Sequence, residues 1–331
     1  MTSRPSVCVA IEPDLIAAAT GEAESGAARR VETHIGRCGP CRRDFERYQT
    51  IDGEVAALRS HLVATPHVAL ARERLETRLA DLRTRLVAYR VFPSPFGQIL
   101  IARSEQGVVL VEYLGRSQGL RSSRLGDLPG LEAVEDGEDV EGLYRELRDY
   151  LQGRRTRLDW PLDLRLARGD FHRRVLEATA GIPYGSVVSY AGLAREVGRP
   201  EAVRAAAQAL RWNPLPIVVP CHRVIGSSGA LTGYAGGTTE RKQKLLAIEG
   251  IPTVRAGHDF RIRPEAMYVL APGDTAYCLP TCPSIDPTGS PRYATRHFPL
   301  GGRLFASRER AEVIGLAPCT TCRPDLHPLS R

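Results

Sequence analysis

Eight cysteines and eight histidines among 331 residues supply much of the reactive chemistry of this chain. Six of the cysteines fall in three tight pairs. Cys278 and Cys282 stand in "YCLPTC", and Cys319 and Cys322 in "PCTTC". The two pairs, C-x3-C and C-x2-C, can together close one tetrahedral four-sulfur zinc site. The 36 residues between them (283–318) are little obstacle, because loop-closure cost grows slowly with length. The alternative is a set of exposed free thiols, which proteins avoid. The third pair, Cys38 and Cys41, follows His34 in "HIGRCGPC". His34 and Cys38 are one helical turn apart and share a face. Cys8 is the candidate fourth ligand, so the second expected zinc set is Cys8, His34, Cys38 and Cys41. One cysteine is left over: Cys221, in "PIVVPCHRV", beside His222. A buried cysteine is usually a small hydrophobe. A cysteine beside a histidine can instead be a nucleophile, since the thiolate is the reactive form and a base can draw off its proton.

Composition sets the frame for that chemistry. The formal net charge is +7 and the sequence pI about 9.1, which permits a polyanion partner without requiring one. Only Lys242 and Lys244 among the 45 basic residues are lysines, a bias read as a property of the coding sequence. Its effect is still chemical, because arginine forks suit phosphates and base edges. No apolar run approaches the ~18 residues of a membrane helix, and "MTSRPSVCVAIEPD" has too short an apolar stretch for a signal peptide. The expectation is a cytoplasmic, nucleoid-associated monomer with reduced cysteines.

The elements that must position these residues are readable in part. Leu70, Leu75, Leu79, Leu82 and Leu86 recur among charges over 67–86, the pattern of an amphipathic connector or a solvated linker helix. Residues 87–115 read as strands broken at Pro-Phe-Gly and Glu-Gln-Gly turns, 116–138 as a loop, and 140–153 as a helix stopped by Gly153. From residue 169 the pattern becomes helical. "GDFHRRVLEATAGIPYG" is one helix, and "SYAGLAREVG" is another, N-capped by Ser189 and ended by Gly198. "RPEAVRAAAQALRWNP" opens a third with Pro200 in its first turn. Arg204, Gln208 and Arg211 form a polar stripe on that helix. The last two helices can be a helix-turn-helix or an ordinary helical hairpin, and the basic stripe favours DNA. The apolar run "PIVV" reads as a short buried strand.

The stretch "SYAGLAREVGRPEAVRAAAQALRWNPLPIVVPCHRVIGSSGALTGYAGG" closely resembles the O6-alkylguanine-DNA alkyltransferases, whose hallmark is Pro-Cys-His-Arg-Val after an Asn-Pro. The resemblance covers roughly residues 87–252. It implies a ribonuclease H-like mixed half followed by a helical, winged-helix-like half with the active site. It implies a single-turnover reaction: a damaged guanine is flipped out of duplex DNA, and Cys221 takes the alkyl group from its oxygen. His222 would draw off the thiol proton through a water, Glu249 would orient His222, and Asn213 would hold the active-site turn. Tyr190 would donate to the flipped base, Tyr234 would pack on it, and the amide of Ala235 would face its oxygen. The carbonyls of Cys221 and Val224 would accept from its amine, and Arg204 would fill the gap in the base stack. No organic cofactor is implied.

Two further resemblances flank this unit. Residues 1–62 are similar to zinc-binding anti-sigma factors, which implies a helical module with a protein partner such as a sigma factor. Residues 260–331 resemble an Ada-like metal-binding domain, with Cys278 in the place of a phosphotriester methyl acceptor, although Leu279 stands where that family has an arginine. A structural or DNA-docking zinc module is the favoured reading here. The expected fold is thus multidomain α/β: a zinc module (1–62), a helical connector (63–86), the two alkyltransferase parts (87–165 and 166–252) and a second zinc module (260–331). The alternatives carried beside DNA repair are a non-catalytic sensor of alkylated DNA and a metal- or redox-responsive regulator acting through the first module.

Overall fold

A computed structural model of the chain describes residues 5–64, 66–114, 123–128, 130–234, 239–285 and 302–329. It divides into two compact units, residues 1–81 and 82–331. Among the described residues no helix is long and apolar enough to cross a membrane.

The first unit is helical: α1 (Ser6–Ala10), α2 (Glu12–Ala19), α3 (Ser25–Ile35), α4 (Gly39–Ala64) and α5 (Pro66–Arg85), the last running into the second unit. Pro13 sits in the first turn of α2, where a missing N–H costs nothing. Among the described residues the buried core cluster is Cys8, Leu15, Val31 and Cys41, with Ile11, Phe45 and Tyr48 packed around it. A core that small needs a staple, and half of it is cysteine. The leucine stripe of α5 is exposed at Leu70, Leu75, Leu79 and Leu82, Leu75 by 58%.

The second unit opens with the strands expected from the sequence, β1 (Leu86–Ser94), β2 (Gly97–Ser104) and β3 (Gly107–Leu114), joined by the two expected turns. A fourth strand, β4 (Glu132–Glu135), lies inside the stretch read as loop and runs parallel to β1. Its sequence, "EAVE", has no apolar run to announce it. The sheet order is β3-β2-β1-β4. Gly107 is required where it stands, because a Cβ there would lie 2.2 Å from the Pro161 carbonyl oxygen. Helix α6 (Glu138–Leu151) begins with Glu138, Asp139 and Glu141, which suit the positive end of its dipole. It buries Val140, Leu147 and Tyr150 in the core that includes Ile99 and Ile101.

Three helices and a short strand follow: α7 (Asp170–Ala180), β5 (Ser186–Ser189), α8 (Tyr190–Glu196) and α9 (Val203–Arg211). The Ser189 hydroxyl caps α8 by accepting from the Gly192 N–H at 3.0 Å, and Gly198 takes φ +74° after its end. Pro200 lies in the turn before α9, which starts three residues later than expected. The run "PIVVP" is not a strand. It is a tight turn closed by a bridge between Pro216 and Val219, with Ile217 at φ +75°. The reason is its prolines: Pro214, Pro216 and Pro220 have no N–H to give to a ladder. A β-branched residue in the left-handed region is strained by about 1–2 kcal/mol, and burial of Ile217 to 2% exposure holds it there. One turn of 3₁₀ helix then carries Cys221–Arg223, followed by β6 (Val224–Ile225) and α10 (Thr239–Ile248).

The remaining residues form β7 (Thr253–Ala256), β8 (Asp259–Ile262), β9 (Tyr268–Leu270), β10 (Ala276–Tyr277), β11 (Arg303–Phe305), α11 (Arg308–Glu312) and β12 (Ala317–Pro318). They are not a separate body. Strands β9 and β11 extend the sheet of the preceding half, in the order β6-β5-β11-β9. Val187 and Ile225 share one core with Met267, Val269 and Leu304.

Candidate active site

Cys221 is buried on the 3₁₀ turn, 5% exposed. Its Sγ accepts from the Asn213 Nδ2 at 3.2 Å. The same amide group donates to the Val219 carbonyl at 2.9 Å, while Asn213 Oδ1 accepts from the Leu215 N–H at 2.9 Å. Asn213 therefore ties both ends of the proline-rich turn to the thiol. Burial raises the pKa of Cys221, and the Asn213 hydrogen bond and the charge of Lys242 offset part of that rise.

His222 is fully buried, and its Nε2 lies 2.6 Å from Glu249 Oε1. Burial lowers the pKa of the ring more than Glu249 raises it, so the imidazole is neutral. Nε2 then carries the hydrogen given to Glu249, and Nδ1 offers a lone pair. That Nδ1 is buried and no protein group hydrogen-bonds to it. An unpartnered buried lone pair is costly, and it is the acceptor a thiol proton requires.

Glu249 is the hub of the network. Burial works against its charge, but Arg223 and His222 overcome the penalty and bring its pKa down to about 2. Arg223 Nε reaches both carboxylate oxygens, at 3.1 and 3.0 Å. The Tyr150 hydroxyl donates to Oε1 at 2.6 Å and accepts from Arg223 Nη2 at 3.2 Å. The Gly185 N–H donates to Oε2 at 2.9 Å, and Arg223 Nη1 donates to the Ile182 carbonyl.

The sequence reading missed Tyr150, Arg223 and Lys242. Tyr150 carries no signal beyond its place in the helix read over 140–153, and Arg223 none beyond the Pro-Cys-His-Arg-Val motif. Lys242 had a signal: it is one of two lysines in an arginine-rich chain, set aside as coding bias. It is fully buried, its Nζ donates to the carbonyls of Val224 at 2.5 Å and Thr232 at 3.2 Å, and desolvation brings its pKa down to about 8. The Val224 carbonyl, expected to take the amine of the base, thus already has a donor. The Cys221 carbonyl likewise accepts from the Val224 N–H.

Of the other expected residues, Tyr234 stands in the cluster. Its ring meets that of His222 edge-on at 6.2 Å, and its hydroxyl lies 3.1 Å from that of Tyr113 on β3. Tyr190 sits at the start of α8, under the Lys242 ammonium at 5.7 Å, and accepts from the Thr232 hydroxyl at 3.2 Å. Arg204, Gln208 and Arg211 are exposed along α9 and make no part of the buried hydrogen-bond network described above. Ala235 lies outside the described residues.

Both expected ligand sets come together. Cys8, His34, Cys38 and Cys41 form one group and Cys278, Cys282, Cys319 and Cys322 another, with the ligand atoms of each within 4.8 Å of one another. Ligands about 2.3 Å from one zinc ion stand about 3.8 Å apart in a tetrahedron. Cys8 Sγ lies 3.8 Å from Cys38 Sγ and 3.7 Å from His34 Nε2. Burial and the neighbouring sulfurs push Cys41 up to about 12, a penalty a divalent cation would reverse. In the second set, Cys322 Sγ accepts from the Leu279 N–H at 3.3 Å, as metal-bound thiolates do. Each set of residues fits a metal ion.

A buried thiol beside a neutral histidine, itself held by a buried carboxylate, defines an acceptor of the cysteine-nucleophile class. Residues 87–164 match the model described as 6-O-methylguanine DNA methyltransferase, ribonuclease-like domain, and residues 170–251 match the DNA binding domain of the same description. A methylated-DNA–protein-cysteine methyltransferase of Mycolicibacterium paratuberculosis is 42% identical over 164 residues, covering 50% of this chain and 93% of the relative. The constitutive enzyme of Bacillus subtilis is 36% identical over 168 residues, covering 49% and 95%. A crystal structure of Mycobacterium tuberculosis O6-methylguanine methyltransferase, 39% identical, covers 49% of this chain and 92% of that one with a TM-score of 0.42. The chain belongs to the methylated-DNA–protein-cysteine methyltransferase family.

Proposed function

We propose that the chain repairs DNA by direct, single-turnover transfer of a methyl or other alkyl group from O6-alkylguanine to Cys221. The observation that carries this is that no protein group hydrogen-bonds to Nδ1 of a neutral, buried His222 whose other nitrogen is fixed by Glu249. The thiol gives its proton to Nδ1 through one water. The sulfur then attacks the alkyl carbon, the carbon–oxygen bond breaks, and its electron pair stays on the guanine oxygen. The guanine takes up one proton from water and His222 returns the thiol's proton to water, while the Tyr190 hydroxyl donates a hydrogen bond to the base, so the protons balance. The product is a thioether with no easy return path at neutral pH, so each chain acts once and needs no organic cofactor.

The exposed stripe of Arg204, Gln208 and Arg211 serves duplex DNA, with Arg204 filling the place of the flipped base. Residues 87–165 are read as the ribonuclease H-like half and 166–252 as the helix-turn-helix half. Both cysteine clusters are read as zinc sites, where the ion supplies folding energy and keeps the sulfurs as thiolates. The N-terminal helices are read as a docking module for a protein partner.

The test is intact mass. Incubation with a duplex carrying one O6-methylguanine should add one methyl group, on the peptide containing Cys221, and Cys221→Ala should add none. A wild-type chain that gains no methyl group refutes the reading.

A further inference from the structure

Glu249 is gripped from two sides. His222, Arg223 and Tyr150 hold it from within, and the Gly185 N–H holds Oε2 from the other side. Gly185 is at φ +71°, on a short bend ahead of β5, so its amide points correctly only while that bend is fixed. The fixing comes from outside the matched family region, which ends at residue 251. The Ala306 N–H donates to the Gly185 carbonyl at 2.8 Å. Beside it, Phe305, Leu304 and Arg303 of β11 pair with Ser186, Val187 and Val188 of β5. The Arg310 guanidinium covers the Tyr184 ring at 4.6 Å, and its stem lies where a Cβ on Gly185 would be, at 3.0 Å.

Strand β11 is itself anchored. It pairs with β9 on its other edge, and Val269 of β9 exchanges two backbone hydrogen bonds with Cys278, at 2.8 and 2.7 Å. Four hydrogen-bonded steps therefore join the four-cysteine cluster to the carboxylate: Cys278 to Val269, β9 to β11, Ala306 to Gly185, and Gly185 to Glu249. Buried carboxylates depend on every donor they have, and placement errors well under 1 Å at a reacting group are costly in rate.

We propose that the C-terminal four-cysteine module is a positioning element of the alkyl-transfer centre. Its strand β11, anchored at Cys278, holds Gly185 and through it Glu249 and His222, so transfer at Cys221 slows when the cluster is lost. The proposal rests on alkyl transfer at Cys221 as the chain's reaction.

Three full-length variants test it. Cys319→Ser removes one cluster ligand. Ala306→Pro removes the N–H given to Gly185, and Arg310→Ala uncovers Tyr184; both keep all four cysteines. The measurements are the first-order rate of methyl transfer at saturating O6-methylguanine duplex, the Kd for that duplex, and amide hydrogen exchange over residues 185–189. Cys319→Ser and Ala306→Pro should slow transfer on the order of tenfold, about 1.4 kcal/mol of barrier, and Arg310→Ala by less. Kd should change less than twofold and exchange at 185–189 should rise. The acid limb of the pH–rate profile should move up, because Glu249 with one donor fewer takes a proton more readily. Wild-type rates and wild-type exchange in Ala306→Pro overturn the proposal, as does a loss confined to Kd. Should Cys319→Ser fail to fold, the two variants that retain the cysteines decide. A wild-type chain that accepts no methyl group removes the underlying reaction, and the exchange data then judge the mechanical link alone.

Discussion

Glu249 keeps its charge in a place where burial opposes it, and that sets the pH behaviour of the site. The folded chain holds this carboxyl at about 2 against an ordinary 4.5, and holds His222 below its ordinary 6.5. Both groups bind protons more readily when unfolded, so stability falls as pH falls. The loss begins below 6.5 with His222 and steepens between 4.5 and about 2 with Glu249. Denaturant titrations at pH 7, 5.5 and 4 should show successively lower midpoints. The transfer rate should hold as pH drops through 6.5, because His222 stays neutral there; half-loss of rate at or above 6.5 contradicts the assignment. At this scale the sequence was generous where chemistry is local and mute where it is not. Cys221 emerged by subtraction from two metal sets, and His222 by adjacency. Tyr150 acts on Glu249 from 99 residues away, a distance no spacing rule spans. Lys242 was visible only as an oddity of composition.

Helix α9 shows the division between buried and exposed work within one element. Ala206, Ala209 and Leu210 are buried, while Arg204, Gln208 and Arg211 face solvent. Arg204→Ala should therefore leave folding intact and slow transfer from duplex DNA far more than transfer from a free O6-alkylguanine base, which needs no flipping. Equal slowing on both would place Arg204 in the chemistry instead. Caps made α8 legible: Ser189 and Gly198 mark its two ends, as expected. The turn at 216–220 was not legible as a turn, because four apolar residues read as a strand unless the prolines around them are weighed as missing donors. Strand β4 was invisible for the opposite reason. Its place is set by parallel pairing with β1, a tertiary fact with no local apolar pattern.

For the molecule as a whole, the spacing of the cysteines foretold two ligand groups, and both assemble, each able to hold a metal ion. Native mass spectrometry should find two zinc ions per chain. Cys41→Ser should lose one and melt the N-terminal helices, whose buried core is half cysteine, and Cys282→Ser should lose the other. A wild-type chain with no zinc contradicts both sites. Less legible was how the C-terminal residues join the rest, since a three-residue strand such as "RLF" carries no address for its partner. That strand has a consequence for solubility. A chain ended at residue 252 would leave one edge of β5 bare and uncover Val187 and Ile225, now at 0% exposure. Bare edges recruit other edges. Such a chain should grow in apparent mass with concentration by light scattering, while the full-length protein should not. The tail is in this sense a guard on the sheet, keeping each copy of a once-only protein from sticking to the next before it has met its lesion.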